Sequence, residues 1–430
     1  MATERATELK VLRPEEFDGW WDHLVRAFGA GPAPAEERDL DRSLTEYERS
    51  LAVWDGSELV GTAGAFRFRM TVPGGAVLPT AGITMVSVAA THRRRGVLTS
   101  MMRRQLDDIR EWGEPLAALT ASEPAIYGRF GYGAATFQLQ AEIDTSRVTL
   151  EVPAGTGDVR LRYADPAEAL GACEAVYAEL VPLRPGMLAR QPGWERAGLL
   201  DPESERGGAS ALQCVVAEQF EGREAPSIEG GGGRRAGGKI TGYARFRTKM
   251  GWSASGHDGT VTLEDLAALD PASDAALWRF LFGIDLMSKL TVRGRPVDDA
   301  WQYQVSDIRR CLTRVRDMGY VRLVDVGAAL AARTYQAPVD VVLEVADAFC
   351  PWNAGRWRLT GDAKGASCER TTDAAELTLS VRELGAAYLG GVSLLSLARA
   401  GRVGELRPGA LAEASVAFGS PVLPWLPHGF

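Results

Sequence analysis

The stretch Val86-Ser-Val-Ala-Ala-Thr-His-Arg-Arg-Arg-Gly-Val-Leu-Thr99 decides the fold of the first third of this 430-residue chain. An apolar, β-branched run over residues 83–88 predicts a buried strand. A helix is expected directly afterwards, over residues 97–112, because apolar side chains recur there at helical spacing. These side chains are Leu98, Met102, Leu106 and Ile109. Three arginines and Gly96 therefore fill the loop between a strand and a helix.

A loop of this kind favours an anionic ligand. Its backbone N–H groups and the positive end of the helix dipole converge on one spot, which suits a pyrophosphate. Gly96 permits a close approach of the backbone, and Arg94 and Arg95 add positive charge. The arginine triplet alone means little in so arginine-rich a chain, so its place ahead of a helix carries the prediction.

A second segment, Thr120-Ala-Ser-Glu-Pro-Ala-Ile-Tyr-Gly-Arg-Phe-Gly-Tyr-Gly133, follows a predicted buried strand over residues 116–120. Its Tyr127 stands beyond the end of that strand, where a phenol can act as a general acid. A tyrosine in a glycine-rich turn often serves packing alone, so the segment by itself leaves both interpretations open. Strands that alternate with helices predict an α/β unit that ends near residue 150.

Composition narrows the class of protein. With 46% hydrophobic and 24% charged residues the chain is an ordinary globular one, long enough for about three domains. A net charge of −8 argues against nucleic acid as a partner. The five cysteines and four histidines are too dispersed to predict a disulfide framework or a metal site. The charged start and the shortness of the longest apolar run, 385–398, predict a cytoplasmic protein without a membrane partner.

The remaining chain predicts two further units. A small, polar segment over residues 153–158 indicates a linker. Strand patterns at 214–220 and 240–248 flank Glu221–Gly238, which is expected to form a long, mobile hairpin tip. A helix is expected over residues 274–289, with Ser273 as its cap.

The last unit alternates strand patterns with helix patterns. Strands are expected at 339–345, 356–359 and 377–381, and helices at 392–400 and 411–418. The predicted fold class is therefore α+β, a mixed α/β chain with an antiparallel sheet in the last unit. The predicted domains are residues 1–152, 153–308 and 309–430.

Taken together, the two quoted segments resemble the acyl-CoA-binding core of the GNAT superfamily of N-acetyltransferases. More narrowly, the chain resembles the enhanced intracellular survival (Eis) acetyltransferases, and the resemblance extends over its whole length. The motifs that carry it are Thr91-His-Arg-Arg-Arg-Gly96, Ser122-Glu123, Ile126-Tyr-Gly-Arg-Phe-Gly-Tyr-Gly133, Ala387-Tyr-Leu-Gly-Gly391 and the terminal aromatic Phe430.

The resemblance implies two GNAT-like domains, a C-terminal sterol-carrier-protein-like domain and a homohexamer. It also implies acetyl transfer from acetyl-CoA, with no metal, to amines of a polycationic, aminoglycoside-like small molecule. By motif position, Val86, Ser87 and Val88 would hold the pantetheine arm. The phosphates would lie on Arg94, Arg95, Gly96, Val97, Leu98 and Thr99, and Ser122 and Glu123 would border the cofactor. Tyr127 would be the general acid and the α-carboxylate of Phe430 the base, in direct attack by the amine within a ternary complex.

Some positions depart from the family pattern. Leu98 replaces the usual small residue of the loop, Thr120 stands where histidine is common, and His428-Gly429 replaces an acidic residue before the last aromatic. Met85 stands where a larger side chain lines the pocket. These changes leave the core mechanism intact, but an aminoglycoside range does not follow from the sequence. The alternatives are a protein lysine N-acetyltransferase and a non-enzymatic lipid- or ligand-binding protein that uses the C-terminal domain.

Overall fold

The predicted strand, loop and helix around Gly96 are present in the computed structural model, which describes residues 7–220, 238–254 and 256–430. The strand runs over Val77–Val88 and the helix over Val97–Glu111. Gly96 precedes the helix at a φ of 85°, a left-handed conformation that glycine adopts at little cost. The helix buries one face through Val97, Met101, Met102, Gln105, Leu106 and Ile109.

Helices and strands alternate along the described chain. The α-helices are α1 (Phe17–Ala27), α2 (Ala35–Leu44), α3 (Val97–Glu111), α4 (Pro124–Tyr127), α5 (Leu170–Leu180), α6 (Pro271–Phe282), α7 (Val326–Ala331), α8 (Val381–Ala387), α9 (Leu394–Arg399) and α10 (Ala410–Phe418). The strands are β1 (Glu8–Val11), β2 (Leu51–Asp55), β3 (Glu58–Thr71), β4 (Val77–Val88), β5 (Leu116–Thr120), β6 (Gly133–Ala134), β7 (Phe137–Asp144), β8 (Arg160–Ala164), β9 (Leu188–Ala189), β10 (Gln213–Gln219), β11 (Lys239–Lys249), β12 (Trp252–Ser253), β13 (Gly256–His257), β14 (Gly259–Ala268), β15 (Met287–Arg295), β16 (Cys311–Asp317), β17 (Gly319–Leu323), β18 (Val339–Ala346), β19 (Gly355–Asp362), β20 (Gly365–Arg370), β21 (Leu377–Ser380) and β22 (Val403–Glu405).

The chain divides into two compact units. The first comprises Met1–Phe137, Pro182–Trp194 and Asp317–Phe430, and the second comprises Gln138–Val181 and Glu195–Arg316. The two units are not continuous in the chain, because each strand belongs to the unit whose sheet it joins. Strand β16 joins the sheet of the second unit, whereas the next strand, β17, joins the N-terminal sheet. The predicted boundaries at 152/153 and 308/309 stay a prediction.

Two sheets form the first unit. The N-terminal sheet has the order β1-β2-β3-β4-β5-β17-β6, with β9 beside β3, and the C-terminal sheet has the order β20-β19-β18-β21-β22. A single apolar core joins them, since Phe68, Leu116 and Val321 of the N-terminal sheet pack in one cluster with Leu343 and Leu384 of the C-terminal part. Burial of this continuous core stabilises the unit and fixes the C-terminal part against β5 and β17.

The second unit is built on one seven-stranded sheet of the order β16-β7-β15-β14-β11-β10-β8. Its strands β10 and β11 pair antiparallel, from Gln219 opposite Lys239 onwards. The predicted hairpin tip between these two strands, Glu221–Gly238, lies outside the described residues except for its last residue. Helix α6 packs on the sheet through buried side chains that include Leu277, Trp278 and Leu281.

One helix prediction in this unit is wrong. Helix α6 ends at Phe282, and Lys289 lies in β15. Gly283 follows the helix, and within β15 the buried residues Leu290 and Val292 stand two positions apart, as on one face of a strand. The cap is Asp270 and not Ser273, because the Asp270 carboxylate accepts hydrogen bonds from the second and third N–H groups of the helix.

Candidate active site

Strands β4 and β5 separate part of the way along the N-terminal sheet. They pair in parallel only at three positions, Thr80, Ala81 and Gly82 of β4, whereas β4 stays paired with β3 as far as Val88. In the described structure, the edge of β4 over residues 83–88 that faces β5 thus has no partner strand. Unpaired backbone N–H and C=O groups are obligatory hydrogen-bonding groups, so this edge is ready to pair with an extended amide chain.

A β-bulge bends β4 within this unpaired stretch. The register with β3 shifts between Thr62 and Gly64, and Met85 adopts a φ of 53°, which is rare for a residue with a side chain. The Thr62 hydroxyl donates to the Met85 carbonyl oxygen at 2.7 Å and lies 2.6 Å from the Ser87 hydroxyl. The sequence does not predict the bulge, because nothing in the identity of Met85 indicates a left-handed conformation.

The loop after β4 ends at a helix N-terminus that no side chain of the described residues caps. Gly96 makes no side-chain cap, and the first turn of α3 contains no acidic residue. The first N–H groups of a helix have no acceptor within the helix, so those of Val97, Leu98 and Thr99 point outward. Arg94, at a φ of 63°, and Arg95 are exposed beside them. The arrangement concentrates donors and positive charge at one place.

His92 anchors the start of this loop. It is buried, its Nε2 atom lies 3.1 Å from Asp55 Oδ2, and its Nδ1 atom lies 2.8 Å from the Thr91 hydroxyl. The carboxylate orients the imidazole and thereby the chain that follows it. The sequence does not indicate this role of His92, since Asp55 is distant along the chain.

Tyr127 ends the short helix α4, which begins at Pro124. The side chain is 93% buried, as only 7% of its surface is exposed. Burial, and secondly the negative charge of Glu123, raise the pKa of Tyr127 above its ordinary value of 10.0. The phenol therefore keeps its proton at neutral and mildly alkaline pH.

These elements enclose one cavity of about 650 Å³. The predicted residues that line it are Val86, Ser87, Val88, Arg94, Gly96, Val97, Leu98, Thr99, Ser122, Glu123 and Tyr127. Arg95 and Phe430 are the predicted site residues that do not line it. Residues that the sequence analysis missed complete the wall: Ala27, Phe28, His92, Arg93, Ile126 and Arg129. Phe28 directly follows α1, where the helical spacing of the apolar side chains indicated only a helix packed in the core.

The C-terminal segment is held by residues 182–194, whose strand β9 pairs with β3 of the N-terminal sheet. Trp425 N–H donates to the Pro185 carbonyl at 2.9 Å, and Arg184 Nη1 donates to the Leu423 carbonyl at 2.7 Å. Trp425 and Leu426 are buried, so this tail is docked and not frayed.

The end of the tail lies where β4 and β5 separate. A Cβ atom built on Gly82, the last β4 residue paired with β5, would lie 3.1 Å from the Phe430 ring. One built on Gly429 would lie 3.8 Å from the hydroxyl oxygen of Thr120, at the end of β5. The tail therefore reaches both strands at the closed end of the gap between them.

No group of three or more His, Cys, Asp or Glu side chains is placed to hold a metal ion among the residues described here. In the same part of the chain, none of the helices is long and apolar enough to cross a membrane.

Comparison with known proteins identifies the architecture. An acetyltransferase (GNAT) domain model matches residues 8–135, a second acetyltransferase (GNAT) domain model matches 231–323, and a sterol carrier protein domain model matches 326–427. The predicted fold of two GNAT domains followed by a sterol-carrier-protein-like domain is confirmed. The protein is an N-acetyltransferase of the GNAT class, and proteins of this class use acetyl-CoA.

Relatives along the full length give the family. An uncharacterized N-acetyltransferase of Streptomyces coelicolor is 71% identical over 98% of this chain and 99% of its own. The N-acetyltransferase Eis of Mycobacterium tuberculosis is 34% identical over 89% of each chain. The crystal structure of Eis1 from Mycobacterium abscessus, 31% identical, superposes with a TM-score of 0.81 over 99% of this chain and 100% of that one. The chain belongs to the Eis family of N-acetyltransferases, as its motifs predicted.

Proposed function

We propose that the protein transfers an acetyl group from acetyl-CoA to primary amines of a polycationic, aminoglycoside-like small molecule. The observation that carries the proposal is the single cavity into which the open edge of β4, the uncapped N-terminus of α3 and Tyr127 all face. Two substrates with very different chemistry, a long phosphorylated thioester and an amine, need such a combination of groups.

The chemistry of the cavity fits acetyl-CoA. Val86, Ser87 and Val88 offer the backbone groups of an unpaired strand edge to the two amides of a pantetheine arm. Arg94 to Thr99 offer backbone N–H groups and guanidinium charge to the phosphates. We assign Arg95 to the outer rim of this phosphate site, since it is exposed and does not line the cavity wall. Ser122 and Glu123 border the cavity at the end of β5.

Acetyl-CoA supplies the acetyl group as a thioester. Two groups of this chain transfer protons during the reaction, one as the base and one as the acid. The attacking amine must be neutral, and the carboxylate of Phe430 accepts the proton that an ammonium gives up. The N–C bond forms as the C–S bond breaks within one ternary complex. Tyr127 donates its proton to the departing sulfur, and its raised pKa keeps that proton available. The nitrogen carries one proton in excess once the N–C bond has formed, and it returns that proton to the Tyr127 phenolate.

We further propose that the enzyme works as a homohexamer in the cytoplasm. All five cysteines are buried free thiols, which suits a reducing compartment. The overall charge of −8 favours encounter with a multiply charged amine.

Release of free thiol from acetyl-CoA, measured across a panel of aminoglycosides, polyamines and peptides that contain lysine, tests this function. We expect turnover with the polycationic small molecules, and a mass increase of one acetyl group for each modified amine. Binding of acetyl-CoA without turnover on any small amine, together with acetylation of the peptides, would contradict the proposed substrate class.

A further inference from the structure

The turn that carries Tyr127 lies directly against helix α8 of the C-terminal domain. A Cβ atom on Gly131 would lie 2.8 Å from Val381 Cγ1, and one on Gly133 would overlap the carbonyl oxygen of Arg382. Gly131 also needs its φ of 88°. The glycines of this motif thus allow α8 to approach the turn more closely than any side chain permits.

A buried ion pair supports the same turn from β17. Arg322 is fully buried, its Nη2 atom donates to Asp347 Oδ2 at 2.7 Å, and its Nη1 atom donates to the Leu323 carbonyl at 2.9 Å. The guanidinium carbon would lie 3.1 Å from a Cβ atom on Gly131. Two directional bonds therefore hold the guanidinium plane against the turn.

Asp347 belongs to the C-terminal domain and is itself fixed. Its Oδ1 atom accepts the Cys350 N–H at 2.9 Å, and its Oδ2 atom also accepts from Asn353 Nδ2 at 3.1 Å. With the bond from Arg322, three donors satisfy this carboxylate. A buried charge satisfied in this way leaves little freedom for the residues that meet it.

Tyr132 connects the ion pair with Tyr127. It is fully buried, and its ring lies 6.1 Å from the ring of Tyr127 at an angle of 77°. Burial raises the pKa of Tyr132 far above its ordinary value, and the nearby charge of Arg322 opposes that rise. The Tyr132 hydroxyl and Arg322 Nε have no hydrogen-bond partner among the described residues.

We propose that Arg322 and Asp347 are positioning residues, which hold the glycine-rich turn so that the Tyr127 hydroxyl points into the cavity. This inference rests on the proposed role of Tyr127 as general acid. It gives the C-terminal domain a part in the reaction besides its tail, because α8 packs against the turn and Asp347 holds Arg322, which packs there too.

The test is the double variant R322M/D347N, which removes both buried charges and keeps a side-chain acceptor for the Cys350 N–H. We expect kcat to fall on the order of 10- to 100-fold, because small displacements of a reacting group are costly. The dissociation constant of acetyl-CoA should not change. The alkaline limb of the kcat profile should move to lower pH, since a looser turn exposes Tyr127 and lowers its pKa.

The matched control is R49M/E114Q. Arg49 and Glu114 form a buried pair of the same kind, 2.6 Å apart, whose arginine also contacts the Ala65 carbonyl and the Trp112 ring. We expect this variant to unfold at a lower temperature than the wild type while its kcat and alkaline limb stay unchanged. A loss of kcat equal to that of R322M/D347N would mean that any buried pair has this effect, and would overturn the proposal.

Wild-type kcat with an unshifted alkaline limb in folded R322M/D347N would also overturn it. If that variant does not fold, R322K is the second test of the proposal. Lysine keeps the positive charge but cannot make both hydrogen bonds of the guanidinium, to Asp347 and to the Leu323 carbonyl. Reduced kcat with intact acetyl-CoA binding in R322K supports the proposal, and wild-type kcat rejects it. Full activity of Tyr127→Phe would instead refute the role of Tyr127 as general acid, on which this inference rests. Absence of turnover in the wild-type enzyme would refute the proposed function, so the three failures can be told apart.

Discussion

The ring of Phe430 packs on the ring of Phe68, with 5.0 Å between the ring centroids and 60° between the ring planes. Phe68 is almost completely buried in β3 and also contacts Trp194, whose ring centroid is 4.9 Å away. An aromatic anchor of this kind fixes the direction of the chain end, because a ring in a packed site has few alternative rotamers. The position of the Phe430 carboxylate is therefore set by β3.

A glycine added after Phe430 should abolish the proposed base without disturbing the anchor. It keeps both rings and moves the carboxylate by about 3.5 Å, the length of one residue. We expect kcat to fall at least about tenfold while the thermal unfolding midpoint is unchanged. Phe430→Leu keeps the carboxylate and should lose less activity than the extension does. Equal kcat in the extended and wild-type enzymes would show that the carboxylate is not the base.

Tyr127→Phe removes only the proposed acid. We expect kcat to fall on the order of 100-fold or more, with unchanged affinity for acetyl-CoA measured by calorimetry. Tyr47→Phe, a half-buried tyrosine of the same domain, is the control and should retain full activity. A Tyr127→Phe enzyme with wild-type kcat would remove Tyr127 from the mechanism.

Glu123→Gln should shift the pH dependence of the reaction. The charge of Glu123 raises the pKa of Tyr127, so its removal lowers that pKa, while burial still holds it above the ordinary value. A general acid works only while it is protonated, and the alkaline limb of kcat should therefore begin at lower pH in the variant. The measurement is kcat between pH 7 and about pH 11, which spans the ordinary pKa of tyrosine. A shift of the alkaline limb of kcat to higher pH in Glu123→Gln would contradict the prediction.

Arg94→Ala and Arg95→Ala should weaken acetyl-CoA binding by about tenfold each, the usual effect of losing a charge-assisted contact to phosphate. The loss should diminish at high salt, because both arginines are exposed. Arg104→Ala is the control on helix α3, which follows the loop, since its guanidinium pairs with Asp108 at 2.7 Å. Equal losses in all three variants would indicate a general effect of charge and not a phosphate site.

Asp41→Asn should stabilise the protein more at pH 8 than at pH 4. Burial, and secondly the charge of Glu37, raise the pKa of Asp41 to about 7. The folded protein therefore holds this proton where the unfolded chain releases it near pH 4, and stability falls as the pH rises between these values. The variant should recover about 1 kcal/mol or more at pH 8. Asp39→Asn, a substitution at an exposed residue of the same helix, is the control. A gain in stability from Asp41→Asn that is larger at pH 4 than at pH 8 would contradict the prediction.

Local sequence predicted the parts of the site that are continuous in the chain. The period of the apolar side chains and the positions of the glycines predict three elements. These are the strand that ends at residue 88, the helix after Gly96 and the turn around Tyr127. The same signals failed at the end of α6. There Met287, near the end of the predicted helix, belongs to β15, and an apolar residue does not by itself distinguish a helix from a buried strand.

What the sequence by itself determined is the class of chemistry: a loop that collects anions, a tyrosine beyond a strand end, and motifs shared with one family of acetyltransferases. Only the tertiary structure decided where the strands part, that Met85 forms a bulge, and that Phe430 meets Phe68. It also decided that Arg322, held by Asp347, packs against Gly131 in the turn that carries Tyr127. The reason is physical: backbone period and turn chemistry act over a few residues, whereas these contacts join distant segments and exist only once the core has packed.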